Sequence, residues 1–561
     1  MPHPTPTTPT ATHTMSAHSS ASAGAGHSRD GRSGPRVAIV GAGPGGLAAA
    51  ALLAASGARV TLFEAQPTIG GRTARITHTT PRGAFHFDRG PTFFLMPYVL
   101  EEVFAAAGRR LADYVDLRRL DPMYRLVMGR PGAEPVRLDA TQDIAEMARR
   151  ISALSPRDGA NFARFIDDNR FKLRHSESIL RNPMRSPLDL LGPSVWRDAL
   201  KVGPVLRPDL SVHGLLSKYF ENPQVRLAVS FQSKYLGMSP YDCPSLFTIL
   251  PFIEYEYGVW HPIGGCHALM NALAEVAREL GAEIRTGEAV ERVEFQGERA
   301  IAVHTPAGRT AIDQIVINAD TAYALKKFIP PALRGKDWAS DEAIDRKKYS
   351  CSTFMMYLGV DKAFDTAHHT IYVSGRYKEN LDEISRLGVG SDDPSVYVCN
   401  PAVTDPMMAP AGASALYVLV PTPSEQLSVP AGQLRWEDPA FVAQFREKTL
   451  DQIGRVMGLG DLRPHIQCES IITPADWRGM NINHGATFNL AHNLGQMLHK
   501  RPQNKLPECE NVYLVGGGTH PGSGLPTIFL SAQISTRLLC EDAGLNHSAR
   551  RSVSQPQLAG V

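Results

Sequence analysis

Val37-Ala-Ile-Val40 is a short, β-branched apolar run without a polar position, the pattern of a parallel strand covered on both faces. Gly41-Ala-Gly43-Pro-Gly-Gly46 follows at once, and the Ala/Leu-rich stretch from Leu47 to about Ser56 predicts a helix ended by Gly57. Ala58-Arg-Val-Thr-Leu-Phe63 predicts a second strand, with Glu64 at its C-terminal end. Far downstream, apolar residues at helical spacing predict an amphipathic helix over Ala268–Leu280, capped by Gly281. Strands are predicted over 282–285, over 289–295 and within 300–318, the last running into Val316-Ile-Asn-Ala-Asp320. Val512-Tyr-Leu-Val515 predicts one more buried strand, followed by a glycine-rich turn and a helix from Ile528 to about Leu539. Strands alternating with helices in this way predict an α/β domain around a parallel sheet, here assembled from pieces far apart in the chain.

The glycines carry specific chemistry. Gly41 permits the sharp turn after the strand, Gly43 lets the backbone approach a pyrophosphate, and Gly46 lets the helix pack closely on the strand. The helix N-terminus then offers N–H groups and its dipole to an anion. Glu64 stands 18 residues after Gly46, where an acid takes both ribose hydroxyls. A lone GxGxxG occurs in many turns that bind nothing; the ordered set of strand, glycines, helix, strand and acid is what a dinucleotide needs.

Gly70-Gly71-Arg72 resembles the GG-R extension of flavoproteins of the glutathione-reductase-like superfamily, with Arg72 able to meet phosphates. Asp88-Arg-Gly90-Pro91-Thr92 resembles the segment that passes near the flavin in that group. With Gly258-Val-Trp-His-Pro-Ile-Gly-Gly265 and, above all, Val515-Gly-Gly517-Gly518-Thr519-His520-Pro-Gly-Ser-Gly524-Leu-Pro526, the chain resembles the bacterial-type phytoene desaturase family over about residues 36–542. That family includes the diapophytoene desaturases. The resemblance implies non-covalently bound FAD in a split Rossmann domain (36–105 with 255–325 and 505–545). It also implies a β-rich substrate domain (106–145 with 326–504) and a helical membrane-facing region (146–254). Val290 is the backbone contact to the adenine in this reading. The glycine turn before the last helix sets N–H groups toward the flavin carbonyls, which stabilises negative charge on the reduced ring.

The activity implied is dehydrogenation of a long polyprenoid. A C–C single bond between alkenes does not respond to acids or bases, so its oxidation requires a hydride acceptor, which flavin N5 supplies. Few polar groups are then needed in a dry tunnel. Arg376, in a G-x-R-Y-like segment, and Asp198, in an Arg-Asp segment where Lys201 replaces the expected Arg, are the candidates for proton handling. A structural ion pair explains Arg376 equally well. His520 either hydrogen-bonds the cofactor or holds its loop. His368-His369 is not read as a metal site, since two adjacent side chains seldom ligate one ion without other donors nearby. No metal is expected.

Composition narrows the picture further. A net charge of +2 gives no general argument for nucleic acid, and seven scattered cysteines without a CxxC pair fit a reducing compartment, the cytoplasm. Between Arg170 and Leu210 there are eight Lys/Arg against four acids, interleaved with apolar residues and broken by prolines into short helices. This is either a peripheral membrane-binding surface or a solvated face. Residues 1–35 and 546–561 read as tails without enough apolar surface to order themselves, and no secretory signal is evident. The electron acceptor is left between quinone and oxygen, because no NAD site or iron–sulfur motif is present. Carotenoid isomerases and oxygenases on the same scaffold and a non-catalytic prenyl-binding protein are the alternatives. An amine oxidase is disfavoured by the absence of aromatics and cysteine from Gly516–Pro526.

Overall fold

Arg36–Val40 lies at the middle of a five-stranded sheet, all of whose pairings are parallel. The order is Val512–Leu514, Gln314–Ile317, Arg36–Val40, Arg59–Glu64, Glu283–Thr286, so strands more than 450 residues apart in sequence share one sheet. The computed structural model describes residues 34–427 and 433–548; most of the two predicted tails, 1–33 and 549–561, lies outside the described residues. On one face, the helices Pro44–Ala55, His267–Glu279 and Leu525–Asp542 pack with Pro97–Ala106 into one core. The Ala/Leu composition of the first of these leaves it buried from Gly45 to Ala54, because small side chains let it sit between neighbouring helices. On the other face an antiparallel meander, Arg292–Gln296, Arg299–Thr305 and Gly308–Ala311, covers Phe63 and Val290.

A second sheet has seven strands in the order Ile466–Ile472, Ser352–Val360, Ser414–Thr422, Val396–Cys399, His369–Val373, Tyr124–Arg130, Ala133–Ala140. Its pairings are antiparallel except that between His369–Val373 and Tyr124–Arg130. All nine positions of Ser352–Val360 are buried, since the helix Pro439–Val456 covers one face and Phe85 and Phe87 pack on the other.

Three expectations are corrected. The stretch from Arg170 is not a set of short helices at its start but the end of a 25-residue helix, Pro156–Leu180. No Pro or Gly interrupts it between Gly159 and Leu180; short helical turns follow only beyond Asn182, where the prolines begin. The strand expected from Ala289 starts at Arg292. His547 and Ser548, read as part of a tail, are packed: His547 is buried against Thr536 (Nε2 to Oγ1 3.1 Å), and the N–H of Ser548 donates to Ser56.

Candidate functional site

The glycine turn after Arg36–Val40 is held from beneath. Gly41 has φ +97°, and its carbonyl accepts from Asn318 Nδ2 (3.1 Å). A Cβ on Gly46 would stand 2.0 Å from that same carbonyl oxygen, so Gly46 sets how closely helix and strand approach. Gly43 closes the N-terminal end of the helix with no side-chain cap, leaving first-turn N–H groups for a ligand. Glu64 is buried, its carboxylate accepting from the N–H of Ala42 (2.7 Å) and of Gln66 (2.9 Å). All of these except Gly46 and Ala42 border one cavity of about 670 Å³, which Gly71, Arg72, Gly90, Pro91 and Val290 also line.

Arg72 is fixed rather than solvated. It donates to the Thr487 carbonyl (2.7 Å) and, with the Asn489 amide oriented to suit both neighbours, to Asn489 Oδ1 (2.9 Å), whose Nδ2 donates to Asp320 (2.6 Å). Burial lowers the guanidinium's pKa and raises that of the Asp320 carboxyl, and their mutual attraction opposes both shifts. Asp88 has a structural task. Its carboxylate accepts from the N–H groups of Cys266 (2.8 Å) and His267 (3.0 Å), capping the helix that begins there. Gly265, at φ +80°, would place a Cβ 2.7 Å from both Asp88 oxygens, which explains the Gly-Gly pair.

At the far end of the parallel sheet, Gly517, Gly524 and Pro526 line the cavity, whereas Gly518, Thr519 and His520 do not. Gly518 packs on Thr321. His520 faces away: its Nε2 meets the Asn182 carbonyl (3.0 Å), and burial pushes its pKa down to about 4, so the ring ties the loop to the end of the long helix as a neutral group. A residue that the sequence reading missed holds this loop. Arg501, 1% exposed, donates to the carbonyls of Gly517 (2.6 Å), Thr519 (3.3 Å), Leu490 (3.3 Å), Gln496 (3.4 Å) and Ala491 (3.5 Å). Burial pushes its pKa down to about 9. Arg501→Met would strip donors from five carbonyls at roughly 1–3 kcal/mol for each one left bare. We expect a fall in Tm of several degrees and loss of most bound flavin, read by calorimetry and by the flavin-to-protein absorbance ratio.

The other end of the cavity is apolar and aromatic, with Phe231, Tyr235, Met355, Tyr397, Tyr417 and Trp477 among its walls. A lysine amine enters this surface. Lys234 Nζ is buried without a hydrogen-bond partner, 5.1 Å from the centre of the Tyr377 ring, and burial pushes its pKa down to about 8. The two expected proton-handling residues are elsewhere. Arg376 is exposed, with its backbone N–H donating to Ser374 Oγ (3.0 Å), and does not line the cavity. Asp198 also lies outside it and pairs with His175 Nδ1 (2.7 Å). The site therefore joins a glycine-lined cradle with a buried acid to an apolar chamber.

Residues 44–539 match the family model of the flavin containing amine oxidoreductases. The chain belongs to that family, and a flavin is its cofactor. Among curated proteins it is 40% identical to a 4,4'-diapophytoene desaturase (4,4'-diapolycopene-forming) from Methylomonas sp., over 90% of this chain and 95% of the relative. It is 39% identical to an all-trans-zeta-carotene desaturase from Myxococcus xanthus, over 92% and 95% respectively. Within the flavin family, then, the chain is one of the carotenoid desaturases. Solved structures share the fold: an oxidoreductase from Methanosarcina mazei has a TM-score of 0.57 at 16% identity, covering 89% of this chain and 98% of that one. For the cyclohexylamine oxidase of Brevibacterium oxydans the TM-score is 0.54 at 14% identity, with 91% and 99% covered.

Proposed function

We propose that the protein is a carotenoid desaturase that binds FAD non-covalently and introduces conjugated double bonds into an apolar polyprenoid of the phytoene or diapophytoene type. The observation that carries this reading is the continuity of one cavity from Glu64 and Val290 to the aromatic chamber. The residues fit FAD: the uncapped helix N-terminus and Arg72 suit the pyrophosphate, Glu64 the ribose, and the Gly516–Gly517 and Gly524–Pro526 backbone the flavin ring. Cys351 is the one cysteine among the lining residues, and burial pushes its thiol up to about 12, which leaves it neutral and supports a cofactor held without a covalent bond. Bound there, FAD supplies the two-electron acceptor.

The chain's own residues do the rest. The aromatic walls hold an extended polyene and exclude water, so the cation that forms as a C–H bond is oxidised is not quenched. A proton must then leave the adjacent carbon. Lys234 Nζ is the one amine among the lining side chains, the other lining cations being the guanidinium groups of Arg72 and Arg89, and burial pushes its pKa down toward neutrality. We assign it the role of proton acceptor, in place of Arg376 and Asp198. Reoxidation of the flavin falls to a quinone or to oxygen.

An apolar substrate has to arrive from lipid. Among the described residues eleven large apolar side chains are exposed, and six of them (Phe171, Leu188, Leu191, Trp196, Leu200 and Val205) fall within 171–205. Arg185, Arg197 and Lys201 lie in the same stretch. No helix among the described residues is long and apolar enough to cross a membrane. This segment is therefore proposed to rest on anionic lipid at the cytoplasmic surface. Leu188, Leu191 and Leu200 are 72%, 72% and 67% exposed, so their replacement by Glu removes no core contact. At roughly 1.5–3 kcal/mol per buried leucine, the triple variant should lose at least 100-fold in liposome affinity while its flavin content is unchanged. Unaltered sedimentation with liposomes would show that the segment does not contact lipid.

Expression in cells that accumulate phytoene, or separately its thirty-carbon analogue, tests the function. Products with absorption shifted to the red and two hydrogens lost per step are expected. Isomers of unchanged mass, or products that gain oxygen, would move the protein to the isomerase or oxygenase reading.

A further inference from the structure

Behind the aromatic wall of the cavity lies a group of buried donors that the desaturation chemistry does not use. His369 and Cys399 are direct partners across an antiparallel pair of strands, so both side chains project from the same face of the sheet. His368 precedes that strand at a bend, and its ring lies 4.4 Å from that of His369. One donor atom from each of the three residues lies within 4.8 Å of the other two, and the residues are 5%, 0% and 1% exposed. The adjacent histidines, uninformative as a dipeptide, thus acquire the third donor that a metal site requires.

The hydrogen bonds of the two rings show which nitrogens are free. His368 Nδ1 is bonded to Thr404 Oγ1 (2.9 Å) and His369 Nδ1 to Tyr397 Oη (2.8 Å). The Tyr397 hydroxyl in turn meets Thr92 Oγ1 (2.6 Å), so a consistent chain runs His369 Nδ1–H to Tyr397 to Thr92. Nε2 of both histidines is buried with no partner. Two imidazoles, each anchored through one nitrogen and each turning an unpaired nitrogen into the core, form the arrangement that metal-ligating histidines take. Unsatisfied buried nitrogens otherwise carry a desolvation cost with nothing to offset it.

We propose that His368 Nε2, His369 Nε2 and Cys399 Sγ bind a single metal ion of the borderline-to-soft class, zinc being its type. Thiolate with two neutral imidazoles selects such ions over magnesium or calcium. Binding replaces the thiol proton: the S–H bond is lost, an S–metal bond forms and one proton passes to solvent. The resulting charge is balanced nearby, since the Asp405 carboxylate is held by His261 Nε2 (3.1 Å) and the His261 ring lies 4.6 Å from that of His368. The ion reaches the site from the cavity, which Phe93 and Tyr397 line; Phe93 is stacked on His369 with centroids 4.0 Å apart. Its role is to cross-link the two strands and the Thr404 loop behind the chamber, independently of whether the substrate is a carotenoid.

The test uses tag-free, flavin-loaded, full-length protein and elemental analysis by mass spectrometry. About one zinc or copper per chain is expected, falling at least tenfold in Cys399→Ser while the flavin content stays the same. Cobalt(II) added to the chelator-treated wild type should give a sulfur-to-cobalt charge-transfer band in the near ultraviolet, which the histidines of residues 1–33 cannot produce because that segment has no cysteine. The cobalt band decides the matter if the serine variant does not fold. Metal retained in Cys399→Ser, or a wild type with no metal and no cobalt band, would overturn the site.

Discussion

Gly46→Ala is expected to yield a protein without its yellow chromophore. The added methyl would stand 2.0 Å from the Gly41 carbonyl oxygen and 3.0 Å from Asn318 Nδ2, and the first of these is backbone at the heart of the central sheet. Relief requires the helix Pro44–Ala55 to withdraw from Arg36–Val40, which moves the first-turn N–H groups away from the place proposed for the pyrophosphate. Overpacking of this kind costs about 1–3 kcal/mol in stability, and the displaced anion site should reduce flavin occupancy at least tenfold. Gly203→Ala is the matched control, since nothing lies within 4 Å of a Cβ there and its φ is −47°. It should be neutral or slightly stabilising. Flavin retained at full occupancy in Gly46→Ala would mean that the cofactor is not seated on this turn.

Lys234→Met is expected to leave flavin and fold intact and to lower kcat about 100-fold, the lower end of what a positioned proton acceptor contributes, with KM changed only a few-fold. The reason is local. The amine sits in an apolar wall with an aromatic face and no carboxylate partner, so water is the solvent it has lost and burial lowers its pKa to about 8. The neutral amine accepts a proton; the charged form cannot, and it also repels a cation developing on the polyene. Activity of the wild type should therefore rise with pH as the amine deprotonates through about 8. A polyene filling the chamber would move that midpoint lower by further desolvation. The methionine variant should lose this pH dependence. An unaltered pH profile would assign the proton to another acceptor.

The glycine-and-acid half of the cavity was legible in the sequence because the demands on it are local. A tight turn, a close approach of backbone to phosphate and a strand-end acid each demand particular residues at short, fixed spacing, so Gly41, Gly43, Gly46 and Glu64 announce themselves. Residues that act across long separations did not. Arg501 works through five backbone carbonyls, which every sequence possesses, and its own neighbourhood has no periodic pattern. Lys234 is one lysine among many until the fold surrounds it with aromatic walls. His369 and Cys399 are separated by 30 positions, and only the strand register makes them a pair. The motif-based placements of Asp198, Arg376 and His520 failed to reach the cavity for the converse reason: a short segment can be kept for an ion pair, a loop or a helix end as readily as for chemistry. Asp88 shows the same thing favourably, since its motif marks the helix cap that brings two distant segments together.

The most direct test mixes the flavin-loaded protein, under anaerobic conditions, with liposomes carrying phytoene or diapophytoene, and follows the flavin spectrum and the mass of the polyene together. A desaturase bleaches its flavin by one equivalent for each polyene made two hydrogens lighter, and the polyene absorption moves to the red. A flavin that stays oxidised while the polyene is isomerised at constant mass, or is left untouched, would contradict the assignment.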